Sequence, residues 1–180
     1  MKRVEVELTG TSPLLMHAFP LVPIEALEKK SVEEQAEYVS YRDPVTRHLY
    51  IPATALQRSL INGATYSKGK GRASLQKNVA ACLAVGPVER LSLGVETYAI
   101  DSRPVVMPAT RGRVLRHRPR LDTWKITCTL DYDENLLSVT QLRRVVDDSG
   151  LRVGMLDFRP EKKGPFGRFI VTSWRDADGR

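Results

Sequence analysis

The sequence contains little of what metal-dependent and cofactor-dependent enzymes need. Its 180 residues include only two cysteines and three histidines, and no two histidines have the spacing of metal ligands. Cys82 lies in an apolar run and Cys128 alternates with strand-forming apolar residues, so we expect both to be reduced core residues. A phosphate-binding P-loop and a serine-nucleophile motif are both absent. We therefore expect no metal, no cofactor and no covalent catalysis.

Long apolar stretches are missing as well. No run approaches the length of about 20 residues that spans a membrane. The N-terminal segment carries Glu5 and Glu7 where a signal peptide needs an apolar core. With 42% hydrophobic and 27% charged residues, the composition is that of an ordinary globular protein. We expect a single cytoplasmic domain over residues 1–180 with no membrane partner.

Positive charge is abundant, and it lies in one part of the chain. The net charge of +7 comes from 28 Lys and Arg residues against 21 Asp and Glu residues. Residues 61–120 hold 11 basic and 3 acidic side chains, whereas residues 1–60 hold 7 and 8, and residues 121–180 hold 10 of each. A charge that served solubility alone would be spread more evenly. The excess in the middle third therefore indicates a surface that binds a polyanion.

Hydrophobic periodicity predicts the order strand, helix, strand, strand, helix, strand. This is the order of a ferredoxin-like βαββαβ fold of the α+β class, an antiparallel sheet with helices on one face. Function is then expected on the uncovered sheet face and in two long insertions. The predicted strands lie near residues 4–8, 88–100, 124–130 and 168–174, the helices cover 52–64 and the segment after the Ser138–Gln141 capping box, and the insertions lie at about 17–48 and 101–122.

The densest group of cations lies in the second insertion. A guanidinium group pairs with phosphate through two hydrogen bonds and also stacks on bases. Alternation along an extended hairpin would place most of these groups on one side, so we predict that the hairpin contacts nucleic acid. The alternative is a solvated basic loop that pairs with the acidic first insertion. Six of the ten positions 111–120 belong to this group: Arg111, Arg113, Arg116, His117, Arg118 and Arg120.

Two smaller basic clusters are further candidates for nucleic-acid binding. Glycines in the first cluster let backbone amides approach phosphate, although such runs are as often plain loops. The second cluster surrounds a Gly/Pro loop whose aromatic residue, Phe166, suits base stacking and equally suits packing back onto the core. The first cluster contains Lys68, Lys70, Arg72 and Lys77, and the second contains Arg159, Lys162, Lys163, Phe166 and Arg168.

Three stretches resemble the RAMP superfamily of CRISPR systems. Residues 8–14 (LTGTSPL) are similar to the end of the family's first strand, residues 50–60 (YIPATALQRSL) to its helix entry, and the loop around Gly164 and Gly167 to its glycine-rich loop. The layout of the insertions is most similar to that of Cas7-like backbone subunits. The resemblance implies an RRM-like or RAMP-like ferredoxin fold that grips a single strand regardless of sequence, with Arg58 facing that strand. A stand-alone or phage-borne protein fits the chain length as well as a CRISPR subunit does.

Together these features predict a non-catalytic protein that binds single-stranded RNA or single-stranded DNA. It is expected to associate with further copies of itself along the strand, as a filament or a ribonucleoprotein that includes other CRISPR-like subunits. One alternative is a metal-independent RAMP endoribonuclease in which His17 or His117 transfers protons. Another alternative is a structural or inhibitory protein whose basic surface binds an acidic protein.

Overall fold

The chain folds around a four-stranded antiparallel sheet that helices cover on one face. The computed structural model describes residues 1–69, 71–86, 88–107 and 110–177. In chain order the elements are β1 (Lys2–Gly10), β2 (Leu14–Leu15), α1 (Ile24–Leu27), α2 (Val32–Tyr38), β3 (Tyr50–Pro52), α3 (Ala53–Gly63), α4 (Gln76–Cys82), β4 (Leu83–Gly86), β5 (Arg90–Ser92), β6 (Ala99–Val106), β7 (Arg113–Leu121), β8 (Lys125–Tyr132), α5 (Val139–Asp148) and β9 (Phe169–Asp176).

The strand order of the main sheet is that of a ferredoxin-like fold. The strands lie in the order β4-β8-β1-β9, so that β1 pairs with two strands from the last third of the chain. Val6 of β1 lies opposite Cys128 of β8, and both side chains are buried together with their neighbours two residues away. Each fully buried aliphatic side chain contributes about 1.5–3 kcal/mol. The predicted α+β, ferredoxin-like βαββαβ fold is confirmed.

Two amphipathic helices form the other half of the core. Helix α3 begins directly after Pro52, and its Leu56 and Leu60 are fully buried. Helix α5 begins with the predicted capping box, in which the Gln141 backbone N–H donates to Ser138 Oγ at 3.3 Å and the Ser138 N–H donates to Gln141 Oε1 at 3.0 Å. Among the described residues, no helix has the length and hydrophobicity that a membrane span requires.

The second strand of the sheet is not where the sequence predicts it. Alternation over residues 88–100 predicts this strand, but the sheet uses β4, which follows α4 without a loop. Leu83 takes an extended conformation that ends the helix, and it pairs with Tyr132 of β8. Residues 90–92 pair with β3 in a separate two-stranded ribbon. The prediction was wrong because alternation reports that a strand is half-buried and not which sheet it joins.

The two predicted insertions contain regular structure. Residues 17–48 hold two short helices, α1 and α2, in place of the single one expected, and Leu27 and Ala36 are their buried side chains. The second insertion is a hairpin of β6 and β7, here called the basic hairpin (residues 99–121). Strand β2 pairs with the end of β7, so the base of the hairpin is attached to the segment that directly follows β1.

The uncovered face of the main sheet is polar. Pairing places Glu5 beside Thr129 and Arg175, and it places Glu7 beside Thr127. Within the described residues, the register puts no aromatic ring on this face. It is therefore not the aromatic stacking platform with which many sheets bind RNA. The expectation that this face carries function receives no support, and the candidate residues lie in the insertions and loops.

Candidate nucleic-acid interface

A groove opens where the first insertion, helix α3 and the loop before β9 meet. Its volume is about 360 Å³. Helix α3 supplies one wall, and the glycine-rich loop (residues 154–168) supplies the other. The groove is defined by His17, Tyr41, Pro52, Thr54, Ala55, Arg58, Ser59, Gly154, Leu156, Asp157 and Arg159.

The glycine-rich loop has an unusual backbone conformation. Gly167 has a φ of 72°, and a Cβ at this position would collide with the facing backbone. Leu156 and Phe158 have φ values of 58° and 48°, in a region that non-glycine residues rarely adopt. The backbone N–H of Asp157 donates to the carbonyl of Leu15 at 3.0 Å, which attaches the loop to the segment after β1.

Arg118 joins the basic hairpin to this loop. Its side chain is only 7% exposed, its Nη1 donates to Asp157 Oδ2 at 2.5 Å, and its Nη2 lies 3.8 Å from Asp101 Oδ1. Its Nε is buried without a hydrogen-bond partner among the described residues. The burial corrects the expectation that Arg118 contacts nucleic acid, because this guanidinium binds two carboxylates inside the molecule.

The remaining cations of the basic hairpin divide between its two faces. Successive residues of β7 point to opposite sides, so Arg116, Arg118 and Arg120 share one face while Arg113 and His117 share the other. Three of the four arginines of β7 thus share a face, as the alternation predicts, and Arg113 lies on the other. A nucleic-acid strand that followed the hairpin would meet cations at the edge and the tip of the hairpin as well as on one of its faces.

Local partners distinguish the hairpin cations further. Arg120 forms an ion pair with Asp122 at 2.5 Å, and His117 Nδ1 lies 2.7 Å from Ser102 Oγ. The Arg116 guanidinium lies 3.6 Å from the sulfur of Met107 and makes no other side-chain hydrogen bond within the described ranges. Within the part of the chain that the structure describes, the hairpin cations that have no carboxylate in ion-pair distance are Arg111, Arg113 and Arg116.

The acidic first insertion does not neutralise these cations. Glu37 of α2 accepts a hydrogen bond from Arg42 Nε at 2.5 Å and another from the Tyr98 hydroxyl at 2.9 Å. The Arg42 guanidinium holds the pKa of Glu37 below its usual range. Glu34 caps its own helix at Ser31. Among the described residues, the acidic insertion therefore forms no ion pair with the basic hairpin, contrary to the alternative interpretation of the sequence.

The two smaller basic clusters lie on two loops, one that follows helix α3 and one that is the glycine-rich loop itself. Lys68 and Arg72 are exposed between α3 and α4, and Lys70 lies outside the described residues. Lys162 and Lys163 are exposed at a short 3₁₀ turn within the glycine-rich loop. Among the described residues, none of these side chains has a carboxylate within ion-pair distance, so they remain candidates for phosphate contacts.

Phe166 lies inside the glycine-rich loop and not at its surface. It is 4% exposed, its ring centroid is 6.0 Å from that of Phe158, and the Arg103 guanidinium lies 4.8 Å from it. Of the two sequence interpretations, the structure favours packing onto the core over base stacking. Arg168 is half-buried, and its backbone N–H donates to Ser12 Oγ at 2.9 Å.

The groove itself combines cations with one carboxylate. Arg58 is exposed and has no carboxylate partner among the described residues, whereas Arg159 forms an ion pair with the glutamate two residues later. Partial burial lowers the pKa of His17, and the neighbouring charge of Asp157 opposes this effect. His17 is thus neutral at pH 7, and Arg58 supplies the unpaired positive charge of the groove.

Of the eleven residues that line the groove, only His17, Arg58 and Arg159 were site candidates from the sequence, and Tyr41 and Asp157 are two of the others. Tyr41 was part of an ordinary turn sequence, and Asp157 stands in no recognisable motif. Only the fold brings them beside Arg58 and His17. Among the described residues, no group of three or more His, Cys, Asp or Glu side chains is placed to hold a metal ion.

Comparison with solved structures finds a similar chain in an RNA-bound assembly. The similar chain belongs to the cryo-EM structure of the Type III-B Cmr-beta bound to cognate target RNA, with a TM-score of 0.61 and 10% sequence identity over 97% of the present chain. The likeness is one of fold. The present chain spans 60% of the length of that chain. The likeness agrees with the α+β fold described above. No family model and no curated protein matches the sequence.

Proposed function

We propose that this chain is a non-catalytic protein that binds single-stranded nucleic acid regardless of sequence. The observation that carries the proposal is the set of exposed cations without carboxylate partners, which includes Arg58 in the groove and Arg111 and Arg113 on the basic hairpin. Cations that meet phosphates bind every sequence alike, because the phosphate backbone carries no base information. The fold likeness to a chain of an RNA-bound assembly gives independent support.

The groove and the basic hairpin are close enough to serve one strand. Arg118 of the hairpin bonds to Asp157 of the groove wall at 2.5 Å. The backbone N–H of Met16 donates to the carbonyl of Pro119 at 2.9 Å, which places His17 of the groove beside the base of the hairpin. Phosphates bound at Arg58 and at the hairpin therefore belong, in this proposal, to the same strand.

We also propose that copies of the chain assemble side by side along the strand, alone or with other CRISPR-like subunits. A single groove of about 360 Å³ and one hairpin cover a short stretch of nucleotides. A longer strand therefore offers several adjacent sites. Association of neighbouring copies would raise the affinity without any new contact to the strand.

The test is a salt series of binding measurements by fluorescence polarisation. The probes are labelled single-stranded RNA, single-stranded DNA and duplex, and the variant combines Arg111→Ala, Arg113→Ala and Arg116→Ala. The logarithmic salt slope of single-strand binding is expected to become shallower by about 2, because each neutralised phosphate contributes about 0.7 on single strands. Arg144→Ala is the matched control, since Arg144 is exposed on α5 and lacks a carboxylate partner among the described residues.

Three results would contradict the proposal in different ways. An unchanged slope in the triple variant would remove the basic hairpin from the interface. A slope shallower by about 0.7 in Arg144→Ala, the share of one charge, would show a general charge effect in place of a site. Failure of the wild-type protein to bind any of the three probes would instead favour an acidic protein as the partner of the basic surface.

The same preparation tests the nuclease alternative. His17 lines the groove, whereas His117 bonds to Ser102 on the hairpin face opposite Arg118. Labelled RNA incubated with the protein and a chelator is expected to remain at full length. Cleavage that leaves 2′,3′-cyclic phosphate ends, and that His17→Ala abolishes, would establish an endoribonuclease and overturn the non-catalytic assignment.

A further inference from the structure

Asp157 is a carboxylate in a groove that otherwise suits phosphate. Its side chain is 33% exposed, and it shares the groove with Arg58 and Arg159. A carboxylate repels phosphates, so it weakens the binding that the two arginines favour. The ion pair with Arg118 accounts for one oxygen of this carboxylate. The exposed part of Asp157 lines the groove, where it suits a ligand group that donates a hydrogen bond.

The backbone on both sides of Asp157 is strained. Leu156 and Phe158 have φ values of 58° and 48°, which cost free energy for residues with a Cβ. The surrounding structure enforces this conformation, because Arg159 Nη1 donates to the Leu156 carbonyl at 2.9 Å and the Asp157 N–H donates to the Leu15 carbonyl at 3.0 Å. Strain of this kind persists where the surroundings enforce it, and it clusters at ligand sites.

Arg118 fixes one oxygen of Asp157 and leaves the other available. Its Nη1 donates to Asp157 Oδ2 at 2.5 Å, while Oδ1 makes no hydrogen bond within the described residues. The Arg118 side chain is 7% exposed, so it holds the carboxylate from inside the fold. Its Nε has no hydrogen-bond partner among the described residues. The fixed carboxylate presents a free acceptor to a ligand in the groove.

We propose that Asp157 accepts a hydrogen bond from the ribose 2′-hydroxyl of a bound strand, so that the groove selects RNA over DNA. The 2′-hydroxyl is the donor by which a protein distinguishes RNA from DNA. The groove volume of about 360 Å³ lies at the low end of ligand pockets and suits one sugar–phosphate unit, with Arg58 at the phosphate. The inference rests on the proposed function, and it assigns that function's substrate.

The first test uses the wild-type chain and four strands of one sequence. The strands carry ribose, 2′-deoxyribose, 2′-fluoro or 2′-O-methyl sugars, and a second set repeats them with other bases. The ribose strand is expected to bind about tenfold more tightly than the other three, because they lack the donor. The 2′-fluoro strand is the critical comparison, since it keeps an RNA-like sugar conformation without a hydroxyl proton.

Each outcome of this series decides one question. Equal binding of the ribose and 2′-fluoro strands would overturn the assignment of Asp157 while leaving single-strand binding intact. A preference that follows the bases and not the sugar would also overturn it. If no strand binds at all, the proposed function fails first, and this inference fails with it.

The second test compares two isosteric variants of the Arg118 ion cluster. Asp157→Asn keeps an oxygen for Arg118 but removes the charged acceptor, so the ribose preference should fall towards onefold while DNA binding is retained or strengthened. Asp101→Asn disturbs Arg118 from the other side and does not line the groove, so the preference should persist. An equal loss in both variants would overturn the assignment. If Asp157→Asn does not fold, Asp157→Glu takes its place, because it keeps the charge but moves the acceptor, and an unchanged ribose preference in that variant would overturn the assignment.

Discussion

Two arginines of one strand illustrate how burial separates structural from functional residues. Arg113 and Arg118 both belong to β7 and both stand in the same basic cluster of the sequence. Arg118 is 7% exposed between Asp101 and Asp157, whereas Arg113 is exposed and has no carboxylate partner among the described residues. The first residue therefore stabilises the fold, and the second is available to a ligand.

Replacing these two arginines should have opposite consequences. We expect Arg118→Ala to lower the free energy of unfolding by about 3 kcal/mol, because it leaves two carboxylates without their cation. Arg113→Ala should change it by less than about 0.5 kcal/mol and should weaken single-strand binding. Urea unfolding followed by circular dichroism measures the stability of both variants. Similar losses of stability in the two would contradict the division that burial suggests.

Burial also raises the pKa values of two side chains, Cys128 and Tyr98, into the strongly alkaline range. Burial raises the pKa of the Cys128 thiol to about 12. Burial and the nearby Glu37 carboxylate raise the pKa of the Tyr98 hydroxyl to about 12. In the unfolded chain these groups ionise near their ordinary values, at about pH 9 to 10. The folded state binds both protons more tightly, so this part of the stability is present below about pH 9 and is lost as the pH rises towards 12.

The alkaline loss of stability should depend on Cys128. We expect the free energy of unfolding to fall from about pH 9 upwards and to fall less steeply in Cys128→Ala, since that variant has no thiol to ionise on unfolding. Urea midpoints at half-unit pH steps between pH 8 and pH 11 measure the slope. Tyr98→Phe is the parallel variant at the second group. Slopes equal to that of the wild-type protein in both variants would contradict the expectation.

At the scale of elements, helix α3 protects an edge of the main sheet. β4 is an outer strand, so its backbone groups are open to pairing with another chain. Gln57 of α3 occupies two of them, because its Nε2 donates to the Leu83 carbonyl at 2.7 Å and its Oε1 accepts from the Val85 N–H at 2.9 Å. One side-chain amide thus takes the place of a neighbouring strand.

Removing this amide should destabilise the fold and open the edge. We expect Gln57→Leu to lower the free energy of unfolding by about 2 kcal/mol, because two backbone groups lose their partners. Static light scattering should also show concentration-dependent association of the folded variant. Thr54→Ala is the control on the same helix, since Thr54 is exposed and makes no side-chain hydrogen bond among the described residues. Wild-type stability in Gln57→Leu would show that the amide contributes nothing.

The location of most elements follows from local sequence, but the makeup of the groove does not. The Ser138–Gln141 capping box and the alternation of β8 were sufficient to place their elements. β4 escaped prediction because its four residues continue an apolar helix without any turn signal. The cations form a recognisable cluster in the sequence. The carboxylate that pairs with buried Arg118, however, belongs to Asp157, a residue that no local pattern distinguishes.

At the scale of the whole molecule, the proposed assembly makes the stoichiometry depend on strand length. We expect native mass spectrometry to show more copies per strand as single-stranded RNA is lengthened, with an integer step each time the strand accommodates another groove and hairpin. Affinity per copy should rise with length if neighbouring copies contact each other. A single copy on every strand, however long, would contradict side-by-side assembly.

The sheet order has a consequence for how the protein is made. β1 is synthesised first, but its two neighbours in the sheet, β8 and β9, leave the ribosome only after residue 125. The groove likewise joins His17 to Arg159, so its walls cannot meet until residue 159 has been synthesised. Contacts so distant in sequence form slowly, because a long loop must close first. A nascent chain therefore exposes the arginines of the basic hairpin to ribosomal RNA before the groove that we propose as a binding site has formed.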